Sequence, residues 1–187
     1  MRVAGVDEAG RGPLAGPVVA SAVILSGGKP PHPLVDSKSI GEERRERIFD
    51  WLFECGAEIG IGIVEHDEID RINILQASLL AMKKAVEMIS PLPQMLLIDG
   101  QFTISGFSGE IRQEAVIKGD TKIEAISAAS IVAKVTRDRI MKKYHGEYPQ
   151  YGFAKHKGYP TASHKRAIAE HGPSPIHRLS FRGVKGI

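Results

Sequence analysis

The segment MRVAGVDEAGRGPLAGPVVASAVIL, residues 1–25, sets two apolar runs on either side of a stretch too rich in glycine and proline for regular structure. Met1 to Val6 is mostly apolar and stops at the acidic pair Asp7-Glu8, as a buried strand stops at charge. Val18 to Leu25 is apolar and β-branched and predicts a second strand. Ala9 to Pro17, between them, reads as an irregular loop.

Outward from this segment, Gly27 to Pro33 is a loop, and Ser39-Ile-Gly-Glu42 places a hydroxyl three residues before a glutamate. That spacing fits a capping box and predicts a helix running to Glu54. Ile59-Gly-Ile-Gly-Ile-Val64 alternates as a third strand, with glycines that allow close backbone approach. Ile74, Leu75, Leu79, Met82, Val86 and Ile89 recur at helical spacing, with Asn73 as the cap. Met95 to Ile98 is a short strand ending at Asp99, and another strand around Glu114 to Ile117 stops before Lys118-Gly119-Asp120. A long helix from Thr121 or Ile123 to Tyr144 and a last one over Thr161–Glu170 follow. The order β-β-α-β-α-β-β-α calls for parallel and antiparallel pairs in one sheet, an α/β layer fold with helices on the sheet faces.

The 187 residues are 42% apolar and 25% charged, proportions that exclude disordered, collagen-like and fibrous classes. One cysteine, Cys55, allows neither an intrachain disulfide nor a cysteine-based zinc site and suits a reducing cytoplasm. By itself Cys55 reads as a small core residue on a helix. No stretch reaches the roughly 18 uninterrupted apolar residues of a membrane span. The N-terminus carries acids where a signal peptide needs its apolar region, and reads as mature protein. Charge is segregated: residues 1–133 hold 13 Lys/Arg and 19 Asp/Glu, residues 134–187 hold 12 and 3, with five of the seven histidines. An acidic body with a basic C-terminal third suggests a polyanion partner, with a solvated basic face as the plainer alternative.

Four acids, Asp7, Glu8, Asp99 and Asp120, follow predicted strands, where open α/β sheets form their sites. Separately each is an ordinary turn acid. If they converge, their mutual repulsion requires either raised pKa values or a cation. Oxygen ligands without histidine or cysteine select Mg²⁺ or Mn²⁺ over Zn²⁺. Such a cluster with no protein nucleophile suits two-metal phosphodiester chemistry. Neighbours in a strand point to opposite faces, so Asp7 and Glu8 share a site only if the strand has broken by Glu8. Asp7 is then the bridging ligand and Glu8 the peripheral one.

Gly10-Arg11-Gly12 lets backbone amides approach a sugar or phosphate. Ser37 and Lys38 offer a hydroxyl and a cation to phosphate, or only an exposed turn. Residues 144–159, YHGEYPQYGFAKHKGY, interleave five aromatics with Lys155, His156 and Lys157, a mixture for stacking and phosphate contact or a loop packed on the core. Lys134 and Arg137 on the long helix are further candidates to face a ligand.

With these residues in place, the chain resembles bacterial-type ribonuclease HII. The matching segments are VDEAGRGPLAGPVV (6–19), DSK (36–38), IDG (98–100), KGD (118–120), ISAASIVAKVTRDR (126–139), YPQYGFAKHKGYPT (148–161) and HRLSF (177–181). The resemblance implies a ribonuclease H-like three-layer fold: a mixed five-stranded sheet flanked by helices, in one catalytic domain over 1–187. A small helical C-terminal extension, the basic segment from about 145 to 187, would bind substrate. It places the family's four catalytic, metal-binding acids on Asp7, Glu8, Asp99 and Asp120. The backbone motif sensing a ribose 2′-OH falls on Gly10, Arg11 and Gly12, and the tyrosine stacking at an RNA–DNA junction on Tyr159. Nucleic-acid contacts are expected at Ser37, Lys38, Lys134, Arg137 and Lys157. The implied activity hydrolyses the RNA strand of RNA–DNA hybrids and nicks 5′ of single ribonucleotides in duplex DNA, leaving 3′-OH and 5′-phosphate ends. Two divalent ions, Mn²⁺ or Mg²⁺, are the implied cofactor. A cytoplasmic monomer is expected; no sliding-clamp peptide is readable in the tail. Ser39-Ile40 departs from the Lys-Leu common in relatives. Ribonuclease HIII, which normally has an added N-terminal domain and lacks arginine between the two glycines, is the nearer alternative. An inactive nucleic-acid-binding module of the same fold is the other, and retention of all four acids argues against it.

Overall fold

In the computed structural model, which describes residues 1–34, 40–107 and 109–186, the glycine-proline loop is flanked by β1 (Val3–Ala9) and β2 (Val18–Ile24). These strands pair antiparallel with Asp7 opposite Ser21. Then follow α1 (Glu42–Glu54), β3 (Glu58–Val64), α2 (His66–Ile72), α3 (Ile74–Glu87), β4 (Met95–Asp99) and β5 (Arg112–Val116). A 3₁₀ turn at Gly119–Thr121 leads into α4 (Glu124–Glu147), and after a second 3₁₀ turn at Pro149–Tyr151 come α5 (Phe153–His156) and α6 (Ala162–His171). The sheet order is β3-β2-β1-β4-β5, with β1 parallel to β4 and β4 parallel to β5, the mixed five-stranded sheet anticipated.

Alternation along β1 assigns each face. Ala4 and Val6 enter a core built with α2 and α3, while Gly5 meets α4 on the other face, where a Cβ would stand 2.1 Å from the Ala125 carbonyl carbon. The face shared by α1 and α4 is closed by Ile48, Leu52, Ala128, Ile131 and Val132. The glycines of β3 do what their spacing suggests: Cβ atoms at Gly60 and Gly62 would lie 1.9 and 2.0 Å from the carbonyl oxygens of Ala85 and Ala81. Their absence lets α3 rest directly on the strand.

Three local expectations are corrected. β1 does not stop at Val6 but continues through both acids to Ala9, because Glu8 and Ala9 still have ladder partners in Ala20 and Val19. The cap of α1 is Gly41, which has no side chain to accept from the first turn, so the capping box does not form; Ser39, with Asp36, Ser37 and Lys38, lies outside the described residues. α2 has no counterpart in the sequence reading, since seven residues with one buried apolar side chain, Ile69, leave too little periodicity. Asn73, by contrast, caps α3 as expected, accepting from the amides of Leu75 and Gln76.

The basic C-terminal third folds back on the loop after β1. Leu14, Ala15, Met141, Phe153, Ile168 and Ile176 form a third apolar cluster. Gly16 N–H donates to Ile176 C=O and Arg178 N–H to Leu14 C=O. Among the described residues no helix is long and apolar enough to cross a membrane.

Candidate active site

Asp7 sits near the end of the central strand, 3% exposed, on the face covered by α4, where the Ser130 hydroxyl bonds it. Its Oδ1 also accepts from Glu8 N–H at 2.7 Å, which folds the carboxylate along the strand toward its end. Glu8 borders both the cleft on the α4 side and a second hollow containing Asp99, Ser78 and Leu79. β1 is unbroken through both acids, yet they lie close enough for the charge of Glu8 to act on Asp7, which corrects the requirement drawn from ideal strand geometry. Asp99 ends β4, the parallel neighbour of β1, and its Oδ1 accepts from Gly119 N–H at 2.7 Å. That bond draws the turn containing buried Asp120 against the end of β4.

Burial first, then the charges of Glu8 and Asp99, push the Asp7 carboxyl well above the usual carboxylate range; the Ser130 and Glu8 hydrogen bonds oppose them. Burial also raises Glu8, against the pull of the Arg11 guanidinium 3.4 Å away. These are acids gathered closely enough to feel one another.

A cleft of about 530 Å³ opens beside them, lined by Glu8, Gly10, Arg11, Gly12, Lys134 and Tyr159. Tyr159 is 42% exposed, with the Lys134 ammonium 5.9 Å from its ring centroid. Gly10 needs its glycine, since φ is +102° and a Cβ would stand 2.2 Å from Arg137 Nε. Arg45 of α1 and Ser130 of α4 also line the cleft, and no sequence signal separated them from ordinary helix residues.

Two expected nucleic-acid contacts are corrected. Arg137 is 1% exposed, and its guanidinium is spent on the carbonyls of Pro17, Lys157 and Ala15. Lys157 is buried in its turn, and its ammonium donates to Ala154 C=O. Neither charge is presented to a phosphate. The fold also uses residues that the sequence reading left without a role. A backbone amide, Ser174 N–H, donates to His177 Nδ1 at 2.8 Å, so His177 carries its proton on Nε2, 3.0 Å from His164 Nε2. His164 Nδ1 then donates to Tyr159 C=O at 2.9 Å.

The profile of the ribonuclease HII family matches residues 4–184. The ribonuclease HII of Geobacter metallireducens is 55% identical over 183 residues, 98% of this chain and 84% of that protein. The chain belongs to the ribonuclease HII family. It is accordingly a nuclease, a hydrolase of the ribonuclease H type. A crystal structure of the ribonuclease H2 from Pyrococcus horikoshii OT3 superposes with a TM-score of 0.80 at 29% identity, covering 99% of this chain and 96% of that one. Bst-RNase HIII in complex with Mn²⁺ shares the fold at a TM-score of 0.72 and 20% identity, covering 99% of this chain and 68% of that one.

The donor set of this chain fits a hard divalent cation. It is composed of carboxylate oxygens, and the buried Glu8 Oε2 has no hydrogen-bond partner among the described residues. Among those residues no three acid, imidazole or thiol groups already form a chelate. Glu8 leans on Arg11 at 3.4 Å, and Asp99 Oδ1 is engaged by Gly119 N–H at 2.7 Å. Release of Glu8 from Arg11 is the rearrangement that would add its oxygens to those of Asp7.

Proposed function

We propose that this chain is a metal-dependent endonuclease that hydrolyses the RNA strand of RNA–DNA hybrids and nicks 5′ of single ribonucleotides embedded in duplex DNA, leaving 3′-OH and 5′-phosphate ends. The observation that carries the proposal is that Asp7 lies close enough to Glu8 and Asp99 to feel both charges, while Glu8 itself lines the cleft bordered by Gly10–Gly12, Lys134 and Tyr159. Acids that repel one another belong with cations, and a glycine-flanked loop with an exposed tyrosine belongs with a sugar.

Magnesium- or manganese-like ions, when bound, supply water activation and stabilisation of the leaving oxygen. Asp7, Glu8, Asp99 and Asp120 would hold them. Around that centre the chain's own residues position the substrate. The backbone of Gly10–Gly12 reads the 2′-OH, the one group that sets an embedded ribonucleotide apart from its deoxy neighbours. Tyr159 offers a flat face to the adjoining sugar, and Lys134 beside it neutralises phosphate charge. Attack is in line on the scissile phosphate, with no covalent enzyme intermediate. Arg11, which supplies the guanidinium against Glu8, favours this reading over a ribonuclease HIII-like preference for longer RNA tracts.

The test is cleavage of a DNA duplex containing one ribonucleotide, with Mg²⁺ or Mn²⁺ and with chelator. A single nick on the 5′ side of the ribonucleotide, lost with chelator, is expected. Failure to nick by folded protein, or nicking that survives chelation, would contradict the proposal.

A further inference from the structure

Arg178 is fully buried, yet no carboxylate bonds its guanidinium among the described residues. Its hydrogen bonds go to backbone carbonyls of one loop: Nη2 to Gly10 at 2.6 Å and Pro17 at 3.1 Å, Nη1 to Arg11 at 3.2 Å, and Nε to Gly16 at 2.9 Å. The Phe181 ring packs against its other side, 5.0 Å from the guanidinium carbon. Arg137 stands beside it and binds Pro17, Ala15 and Lys157 in the same manner, at 2.9 to 3.0 Å. Burial draws Arg178 down to about 9 and Arg137 to about 10, so both stay charged at neutral pH.

Two like charges buried side by side are expensive when, among the described residues, no carboxylate hydrogen-bonds either guanidinium and Asp70 and Asp138 act on them only at longer range. A fold seeking only stability would fill the space with apolar groups. What the pair supplies is donors. A loop of glycines and prolines cannot form a ladder, and its inward carbonyls need partners. A planar guanidinium with five donors serves several at once.

The direction of those carbonyls determines the direction of the amides. In a trans peptide C=O and N–H point to opposite sides. With the Gly10 and Arg11 carbonyls held on Arg178, the N–H groups of Arg11 and Gly12 turn the other way, toward the cleft that both residues line. We infer that Arg178 is a positioning residue for ribose recognition: it fixes the Gly10 and Arg11 carbonyls so that the amides of Arg11 and Gly12 face the substrate sugar. Arg137 ties the same loop to Lys157 C=O, two residues before Tyr159, so the amide pair and the tyrosine move as one body. The role rests on the ribose-reading loop proposed above and explains why a C-terminal arginine, far away in sequence, belongs to the site.

The experiment compares wild type with Arg178→Lys on duplexes carrying at one position a ribonucleotide or its 2′-fluoro analogue, in Mn²⁺, with melting curves in parallel. Lysine keeps the charge but cannot span the carbonyls with a rigid fork. The expected result is a loss of about tenfold in the ribose-to-fluoro ratio of kcat/KM, the scale of one misplaced hydrogen bond. A folded Arg178→Lys with an unchanged ratio overturns the inference and assigns the residue to stability alone. Wild type that shows no ribose preference overturns the parent reading instead, and the inference with it. Should Arg178→Lys not fold, amide spectra of wild type decide: the Arg11 and Gly12 N–H signals must shift more with the ribonucleotide duplex, in Ca²⁺, than with the all-deoxy duplex. Equal shifts overturn it.

Discussion

Asp7 is buried under α4 and beside Glu8 and Asp99, which raises its pKa and makes its negative charge costly unless a cation offsets it. Asp7→Asn keeps the shape and removes the charge, so nicking should fall by at least about a hundredfold, the scale of losing one preorganised electrostatic group. Affinity for an RNA–DNA hybrid, read by fluorescence anisotropy, should stay close to wild type; unchanged turnover would refute the role of Asp7. Tyr159 faces solvent and its ring supports little of the core. Tyr159→Ala should therefore cut cleavage at a single embedded ribonucleotide by about tenfold, the scale of one stacking contact, with little change in melting temperature. Equal rates for both proteins would remove the stacking assignment. At this scale the acids were legible, because strands that end on carboxylates signal where a site forms. Arg137 was misread, because a basic residue on a helix carries no mark of which way it points. Arg178 and His177 sit in a segment matched to the family, but a guanidinium that binds only carbonyls leaves no pattern along the chain.

The sheet and its covering helices followed from period and punctuation: alternation in β3, a helical repeat in α3, the Asn73 cap and the glycines after β1. What period could not supply was the end of β1, since its last residues are held by pairing with β2 rather than by burial of an apolar side chain. The Gly60 contact with α3 belongs to this scale. Gly60→Val should destabilise folding by about 1–3 kcal/mol or more, as overpacking does. A Cβ at Gly12 meets only Tyr159 Cε1, at 3.6 Å, so Gly12→Ala should leave stability nearly unchanged while lowering cleavage. Urea denaturation of the two variants checks the contrast; similar midpoints would mean that α3 does not rest on β3 as described.

Across the whole molecule, the basic C-terminal third is less a solvated arm than a brace. His156, His164 and His177 lie beneath the turn that presents Tyr159, with the rings of His156 and His164 stacked at 4.4 Å. Burial, ahead of neighbouring positive charge (Lys157 and His145 for His156, His156 for His164, His164 for His177), lowers all three imidazoles, His177 from 6.5 to about 4. The unfolded chain takes up these protons first, so the stability the histidines contribute is full above pH 6.5 and is lost as pH falls toward 4. Unfolding midpoints measured across that window should drop, and His177→Gln should flatten the drop. An equal slope in both proteins would show that the buried histidines do not govern it.

The central claim is that carboxylates distant in sequence share a divalent ion at the end of β1. Anomalous diffraction from crystals soaked in Mn²⁺ tests it most directly. A peak coordinated by Asp7, with Glu8 turned away from Arg11, is expected. Ordered Mn²⁺ elsewhere with none on Asp7, or a peak on Asp7 with Glu8 still paired to Arg11 and Asp99 uninvolved, would contradict it.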